Sequence, residues 1–159
     1  SILLSTQYNL IVVQTVSKSF GLAGLILGYF IANKKFTSAF MNVLQYPYPL
    51  STITIGSGIS ALEKSNLMKE AVANIKIERK RIIETLQKYD AFEVFDSKAN
   101  FVLFDAHGVF KRVYSALAEQ GISIRKLGKI GNHEGCLRVT IGTKEMNSKF
   151  LLAIRDLLE

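Results

Sequence analysis

The segment LIVVQTV, residues 10–16, restricts the possible folds of this chain more than any other feature. It is almost entirely apolar and rich in β-branched residues, which is typical of a strand buried on both faces of a parallel sheet. Such a strand needs neighbours that cover its faces and pair its backbone groups. Residues 25–32 can supply one, but few other segments before residue 90 resemble strands. We therefore expect residues 1–35 to be the tail of a larger α/β sheet whose first strands lie outside this sequence.

The rest of the chain has the pattern of helices followed by a mixed domain. Residues 36–46, 50–63 and, most clearly, 66–89 have helical periodicity. Beyond them the pattern predicts strands at 92–95, 101–105, 122–127 and 136–141, a glycine-containing turn at 128–135, and helices at 109–120 and 144–158. We expect a large-domain remnant at 1–35, connecting helices at 36–65 and a compact α+β domain at 66–159.

Charge and composition argue against several kinds of partner. The 159 residues carry a formal net charge of +7, and the one basic cluster is Lys76, Arg79, Lys80 and Arg81. Its spacing suits the solvated face of an amphipathic helix, with a nucleic-acid patch as the alternative. No aromatic residue interleaves with the cluster and no zinc-finger spacing is present, so we expect no nucleic-acid partner.

Cysteine and histidine give no sign of metal or redox chemistry. The single Cys136 excludes an internal disulfide and is compatible with a reducing cytosol. His107 and His133 are far apart in sequence and belong to no metal motif, so we assign neither to chemistry and expect no metal. The first ten residues lack the basic region and cleavage site of a signal peptide, which favours a cytoplasmic location.

Residues 16–29, VSKSFGLAGLILGY, allow several interpretations. Gly24 and Gly28 have the GxxxG spacing of packed membrane helices, but the uncharged stretch between Lys18 and Lys34 has 15 residues and a span needs about 20. The glycines match neither common nucleotide-binding loop. Lys18 could instead attack a carbonyl as a neutral amine, with the glycines leaving room for a bulky cofactor. An ordinary surface lysine is the simpler alternative.

Two arginines lie in segments with strand alternation. In ISIRKL and LRVTI, Arg125 and Arg138 alternate with apolar residues, so each leaves the core face of its strand. If the strands are neighbours, two guanidinium groups can converge on one carboxylate or phosphate. Two unrelated arginines on a half-exposed sheet are the alternative.

The stretch SKSFGLAGLILGY at 17–29 resembles the segment around the cofactor lysine in fold-type I aminotransferases, which use pyridoxal 5′-phosphate, and most closely the histidinol-phosphate aminotransferase family. Four further pieces agree in order: PYPLS at 47–51, ANFVLFDA at 99–106, GISIR at 121–125 and LRVTIGTKEMN at 137–147. The resemblance implies a C-terminal portion, with the last strands of the large-domain sheet followed by the small α+β domain.

The resemblance also implies roles for single residues. Lys18 would form the Schiff base with the cofactor and act as acid and base, and Ser17 would hydrogen-bond the cofactor phosphate. Arg125 and Arg138 would hold the anionic end of the substrate. Tyr46 is a candidate for the substrate pocket, with packing of a turn as the alternative.

The implied reaction is transamination of L-histidinol phosphate with 2-oxoglutarate, giving glutamate, in histidine biosynthesis by a homodimeric parent. A related aminotransferase or a phosphothreonine decarboxylase remains open, because each handles an anionic amine. Partners would then be small molecules, with no nucleic acid and no membrane.

Two departures from the family pattern bear on activity. The family keeps an arginine for the cofactor phosphate eight residues after the lysine, where this chain has Ile26. A charge-assisted hydrogen bond contributes roughly 1.5–3 kcal/mol, so cofactor affinity should fall by about one to two powers of ten. The family's N-terminal half would also supply the phosphate loop, the aspartate at the pyridine nitrogen and the stacking aromatic. We therefore expect the 159-residue chain to be inactive alone, and a non-catalytic truncated module is the alternative.

Overall fold

The computed structural model describes residues 9–43 and 50–159. The chain divides into two compact units, Ser1–Glu70 and Ala71–Glu159. No helix in these described ranges combines the length and apolar character that crossing a membrane would require. The three-part division at residues 35 and 65 stays a prediction.

Among its described residues, the first unit contains a two-stranded sheet followed by two helices. Strand β1 (Val12–Thr15) pairs with β2 (Gly28–Ile31), and helices α1 (Lys34–Val43) and α2 (Thr52–Glu63) follow. Our prediction of a parallel-sheet strand is wrong for this pair, which is antiparallel. The reason lies in the connection, where the only helix is a short 3₁₀ turn at Ala23–Leu25, whereas parallel strands need a long crossover.

This small sheet is only partly covered in the part of the chain that is described, where the Phe30 ring of β2 lies 4.8 Å from the Phe40 ring of α1. Our expectation that β1 is buried on both faces is not met, because Val13 is 75 % exposed and Gln14 and Thr15 are also exposed. A two-stranded sheet offers too little surface to cover its own apolar side chains. The larger sheet that would cover them stays a prediction.

The second unit is built on a four-stranded antiparallel sheet with the order β3-β4-β6-β5. Its strands are β3 (Glu93–Val94), β4 (Phe101–Asp105), β5 (Arg125–Ile130) and β6 (His133–Thr140). Its helices are α3 (Ser65–Leu86), which begins in the first unit, α4 (Phe110–Glu119) and α5 (Lys144–Leu158). Fully buried side chains of strands and helices form one core, including Val102, Phe104, Ile82, Leu117 and Ile154.

Local sequence signals explain several element ends. Helix α5 occupies the predicted 144–158 range, and the Thr143 hydroxyl caps it by accepting a hydrogen bond from the Met146 N–H at 3.2 Å. Strand β4 also matches its predicted range. Helix α4 is followed by Gly121, whose φ of +72° is the left-handed conformation expected after a helix end.

The β5–β6 hairpin differs from its predicted limits. We expected strands at 122–127 and 136–141, but β5 starts at Arg125 and runs to Ile130, and β6 starts at His133. Gly128, at a φ of +73°, lies at a bulge where the pairing register shifts, so the strand continues through a glycine that we had placed in a turn.

Candidate functional site

Lys18 lies in the turn after β1 with its side chain exposed. The last contact between the strands is the hydrogen bond from the Val16 N–H to the Leu27 carbonyl at 3.1 Å, and the Phe20 N–H then donates to the Val16 carbonyl at 3.2 Å. In the described ranges the Lys18 ammonium has no carboxylate within ion-pair distance. The amine is therefore accessible to a small molecule at the end of a strand.

Two hydroxyl groups, those of Thr15 and Ser17, come shortly before this lysine in the chain. The Thr15 Oγ1 is 2.8 Å from the Ser17 Oγ and also accepts the Ser17 N–H at 3.1 Å. This side chain to backbone contact fixes the turn that presents Ser17 and Lys18. Adjacent hydroxyl and amine groups of this kind can hydrogen-bond an anion such as phosphate.

The residue that departs from the family pattern, Ile26, has an unusual backbone. Its φ of 48° and ψ of 41° are left-handed, and its side chain is 88 % exposed. This conformation is a genuine outlier for a β-branched residue. The position thus carries backbone strain and no cation.

The glycines of this stretch have separate structural reasons. Gly21 has a φ of +67°, which a side chain would strain. A Cβ on Gly28 would lie 2.7 Å from the Gln14 carbonyl oxygen of the facing strand, so this glycine serves the β1–β2 pairing. Of the three glycines in this stretch, only Gly24 has open space around it and an ordinary backbone. It is therefore the one glycine whose presence could serve to leave room for a cofactor.

Arg125 and Arg138 are direct partners across the β5–β6 pair. Side chains of directly opposed residues emerge on the same sheet face with their Cβ atoms about 4.5–5.5 Å apart, and like charges in this arrangement repel. In the described part of the chain neither arginine forms an ion pair with a carboxylate. The register therefore presents two adjacent cations that an anion would stabilise.

Arg138 has a further contact that the sequence did not suggest. Its guanidinium carbon lies 5.0 Å from the ring centroid of Phe101, and its Nε is buried without a hydrogen-bond partner. The only sequence signal was the period-2 alternation that places Phe101 and Arg138 on the same face of neighbouring strands.

A histidine and aspartate cluster lies elsewhere on the same sheet. Asp105 is only 2 % exposed, and its Oδ1 accepts the N–H groups of His107 at 2.8 Å and Gly135 at 3.1 Å. Its Oδ2 is 3.3 Å from the Nδ1 of both His107 and His133. The two histidines that sequence distance had separated thus meet at one carboxylate. No arrangement suited to holding a metal ion occurs in the described residues.

The remaining site prediction, Tyr46, lies outside the described residues. Lys18 and Ser17 belong to the first unit, and the arginine pair belongs to the second.

Comparison with known proteins adds independent evidence. Residues 2–154 match the family model for aminotransferase class I and II. The histidinol-phosphate aminotransferase of Thermoanaerobacter sp. (strain X514) is 36 % identical over 150 residues, which are 94 % of this chain and 42 % of that protein. The chain thus spans less than half the length of the relatives it matches.

Solved structures agree with the predicted fold class. The histidinol-phosphate aminotransferase from Clostridium acetobutylicum superposes with a TM-score of 0.83 at 30 % identity, over 98 % of this chain and 47 % of that one. The enzyme of the same name from Sinorhizobium meliloti, solved with pyridoxal 5′-phosphate, has the same fold with a TM-score of 0.76 at 24 % identity, over 96 % of this chain and 42 % of that one. The chain belongs to the class I and II aminotransferase family and has part of the fold-type I architecture.

Proposed function

We propose that this chain supplies the reactive lysine and the substrate-binding arginines of an aminotransferase that moves an amino group from L-histidinol phosphate to 2-oxoglutarate. The observation that carries the proposal is the direct opposition of Arg125 and Arg138 without a described carboxylate partner. Two guanidinium groups on one face suit a doubly charged phosphate or a carboxylate. The names of the relatives in the comparison favour histidinol phosphate as the substrate.

The residues around Lys18 fit the family's cofactor in part. The exposed amine at the end of β1 suits the aldehyde of pyridoxal phosphate, and the Ser17 hydroxyl suits its phosphate. Ile26 provides no charge for that phosphate. We therefore expect this chain to hold the cofactor through Ser17 and Lys18, with less affinity than a family member that carries the arginine.

Each side chain has a defined task in the proposed reaction. Pyridoxal phosphate, when bound, supplies the electron sink for the carbanion that forms at the substrate Cα. Lys18 Nζ would remove the proton from the substrate Cα as a general base and hold it as an ammonium, which could then act as a general acid. Arg125 and Arg138 would bind the anionic end of the substrate through charge-assisted hydrogen bonds.

Residues 1–159 alone are proposed to lack transaminase activity, because the relatives contain more than twice this length of chain. The parent enzyme is proposed to be a homodimer. Measurable glutamate formation by the purified 159-residue chain from L-histidinol phosphate and 2-oxoglutarate would contradict the proposed inactivity.

The role of Lys18 can be tested on the chain itself. The chain is incubated with pyridoxal phosphate, reduced with borohydride and digested, and the modified lysines are identified by mass spectrometry. We expect modification to concentrate at Lys18 and to disappear in Lys18→Arg. Lys35→Arg, which removes another exposed lysine of the same unit, is the matched control and should leave the Lys18 label unchanged.

A second candidate, a non-catalytic module, is favoured by the strained and uncharged Ile26. Labelling spread evenly over the exposed lysines would support it and would count against the cofactor role. The substrate is tested in the full-length parent, where rescue of a histidine auxotroph indicates histidinol phosphate and carbon dioxide release from phosphothreonine indicates the decarboxylase alternative.

A further inference from the structure

We propose that Phe101 is a positioning residue that holds the Arg138 guanidinium against its ring, so that Arg125 and Arg138 present their charges to one anion as a pair. The inference rests on the proposed anion-binding role of the two arginines. It assigns a task to an aromatic side chain that neighbours the polar residues of the proposed site.

The contact between Phe101 and Arg138 has the geometry of a cation–π interaction. The guanidinium carbon lies 5.0 Å from the ring centroid, inside the range of about 6 Å in which the ring quadrupole attracts a cation. The Arg138 Nε is buried and lacks a hydrogen-bond acceptor in the described ranges. No described group accepts a hydrogen bond from Nε, so the Phe101 ring is the contact that we expect to stabilise the guanidinium group.

The arginine pair needs such a restraint. Arg125 stands directly opposite Arg138, and repulsion between the two charges favours turning one of them away into solvent. An arginine side chain has several rotatable bonds, so little else prevents that movement. The Phe101 ring favours the position of the Arg138 guanidinium against it before any anion binds. Less conformational entropy of this side chain is then lost when the anion binds.

Phe101 is itself firmly placed by the chain around it. Its carbonyl accepts a hydrogen bond from the Ser97 hydroxyl at 2.6 Å, which closes the turn before β4. Helix α3 holds the same turn through Arg79, whose Nη1 donates to the Ala99 carbonyl at 2.7 Å. On the other side, the Ile141 N–H donates to the Asn100 carbonyl at 2.9 Å. The ring therefore starts from a backbone fixed at three points.

Core packing does not account for this ring. Phe101 is half-buried, while its neighbour Val102 is fully buried and belongs to the core. Successive strand residues point to opposite faces, so Phe101 lies on the face that carries Arg138. The opposite face offers a control, because Phe110 of α4 lies 5.4 Å from the ammonium of Lys126, a different cation.

The experiment uses the 159-residue chain labelled with ¹⁵N-arginine, titrated with inorganic phosphate and followed by NMR of the arginine Nε–H groups. Arg138→Gln identifies the Arg138 signal by its loss. We expect this signal to be shifted by the ring current, to respond to phosphate, and to move toward the position of a solvent-exposed arginine in Phe101→Leu. Phosphate affinity should fall by about 2- to 30-fold in Phe101→Leu, which corresponds to the usual strength of a cation–π contact.

Two controls separate positioning from general damage to the fold. Phe101→Tyr keeps an aromatic face and should retain both the shifted signal and the affinity. Phe110→Leu removes one of the two rings beside Lys126 and should leave the Arg138 signal and the phosphate affinity unchanged.

The outcomes distinguish this inference from the proposed function. Phosphate binding that depends on Arg138 but is equal in wild type, Phe101→Leu and Phe101→Tyr overturns the role of Phe101 and leaves the arginine site standing. Phosphate binding that is absent, or that persists unchanged in Arg138→Gln, overturns the arginine site and with it the positioning role. Loss of affinity in Phe101→Leu with rescue in Phe101→Tyr supports the inference.

Discussion

Glu78 joins helix α3 to the start of α5 through a buried polar network. Glu78 is 7 % exposed. Its Oε2 accepts hydrogen bonds from Asn147 Nδ2–H, at 2.8 Å, and from an N–H of Arg81. Asn147 also donates to the Gly142 carbonyl at 3.0 Å and accepts the Gly142 N–H at 2.9 Å. Glu78 and Asn147 are 69 residues apart in the sequence, so their hydrogen bond connects two distant helices.

The substitution Glu78→Gln keeps the size of the side chain and removes its charge. Hydrogen bonds to charged groups contribute roughly 1.5–3 kcal/mol. The NH₂ group of the glutamine would also replace an acceptor oxygen by a donor, which would then face the N–H donors of Arg81 or Asn147. We expect the free energy of unfolding of this unit to fall by about 2 kcal/mol. Glu84→Gln on the same helix is the control, since its exposed pair with Lys80 should contribute less than about 0.5 kcal/mol.

The difference between wild type and Glu78→Gln should depend on pH. The hydrogen bond from Arg81 holds the pKa of Glu78 below its ordinary value, and Asn147 acts in the same direction while burial opposes it. A carboxyl whose pKa is lower in the folded state stabilises the fold fully above its unfolded pKa, and this contribution disappears as the pH falls through the folded value. The stability difference should therefore be largest near neutral pH and shrink below about pH 4.5.

Urea unfolding followed by the NMR methyl signals of Ile82 and Ile154, both buried in this unit, measures the effect. The comparison is made at about pH 7 and about pH 3. A stability difference that is the same at both values would refute the charge-based reasoning. A loss in Glu84→Gln as large as in Glu78→Gln would refute the claim that burial decides the magnitude.

Three further substitutions test the packing and the backbone. Gly135→Ala should lower the free energy of unfolding in urea by about 1–3 kcal/mol, because the new Cβ would lie 2.7 Å from the Asp105 carboxylate and 2.9 Å from a backbone nitrogen. Gly108→Ala is the control, since its Cβ meets open space and should leave the stability nearly unchanged. Ile26→Gly should stabilise the first unit by about 0.5–1 kcal/mol, measured by thermal unfolding, since glycine relieves the left-handed strain at a smaller entropic cost; an unchanged or lower midpoint would contradict this. Ile154→Ala should cost about 2–5 kcal/mol and Leu152→Ala less than about 1 kcal/mol, because Ile154 is 0 % exposed and Leu152 is 49 % exposed on the same helix; equal losses would speak against the assigned core face.

Much of the second unit could be predicted because its signals are local. The range of α5 follows from a helical apolar period, and that of β4 from a short apolar run. The alternation in LRVTI also placed Arg138 off the core face, as the structure confirms. The predicted end of β5 at residue 127 was too early because the pattern treated Gly128 as a turn residue, and only pairing with β6 shows that it forms a bulge.

The sequence by itself determined the family, the periodicity of the helices and strands, and the candidate residues Lys18, Arg125 and Arg138. Tertiary structure decided which of these side chains meet. The opposition of Arg125 and Arg138, the ring of Phe101 beneath Arg138, and the two histidines at Asp105 all depend on strand register. Register joins residues that are distant in sequence, and a shift of one residue would move a side chain to the other face, so periodicity alone cannot fix it.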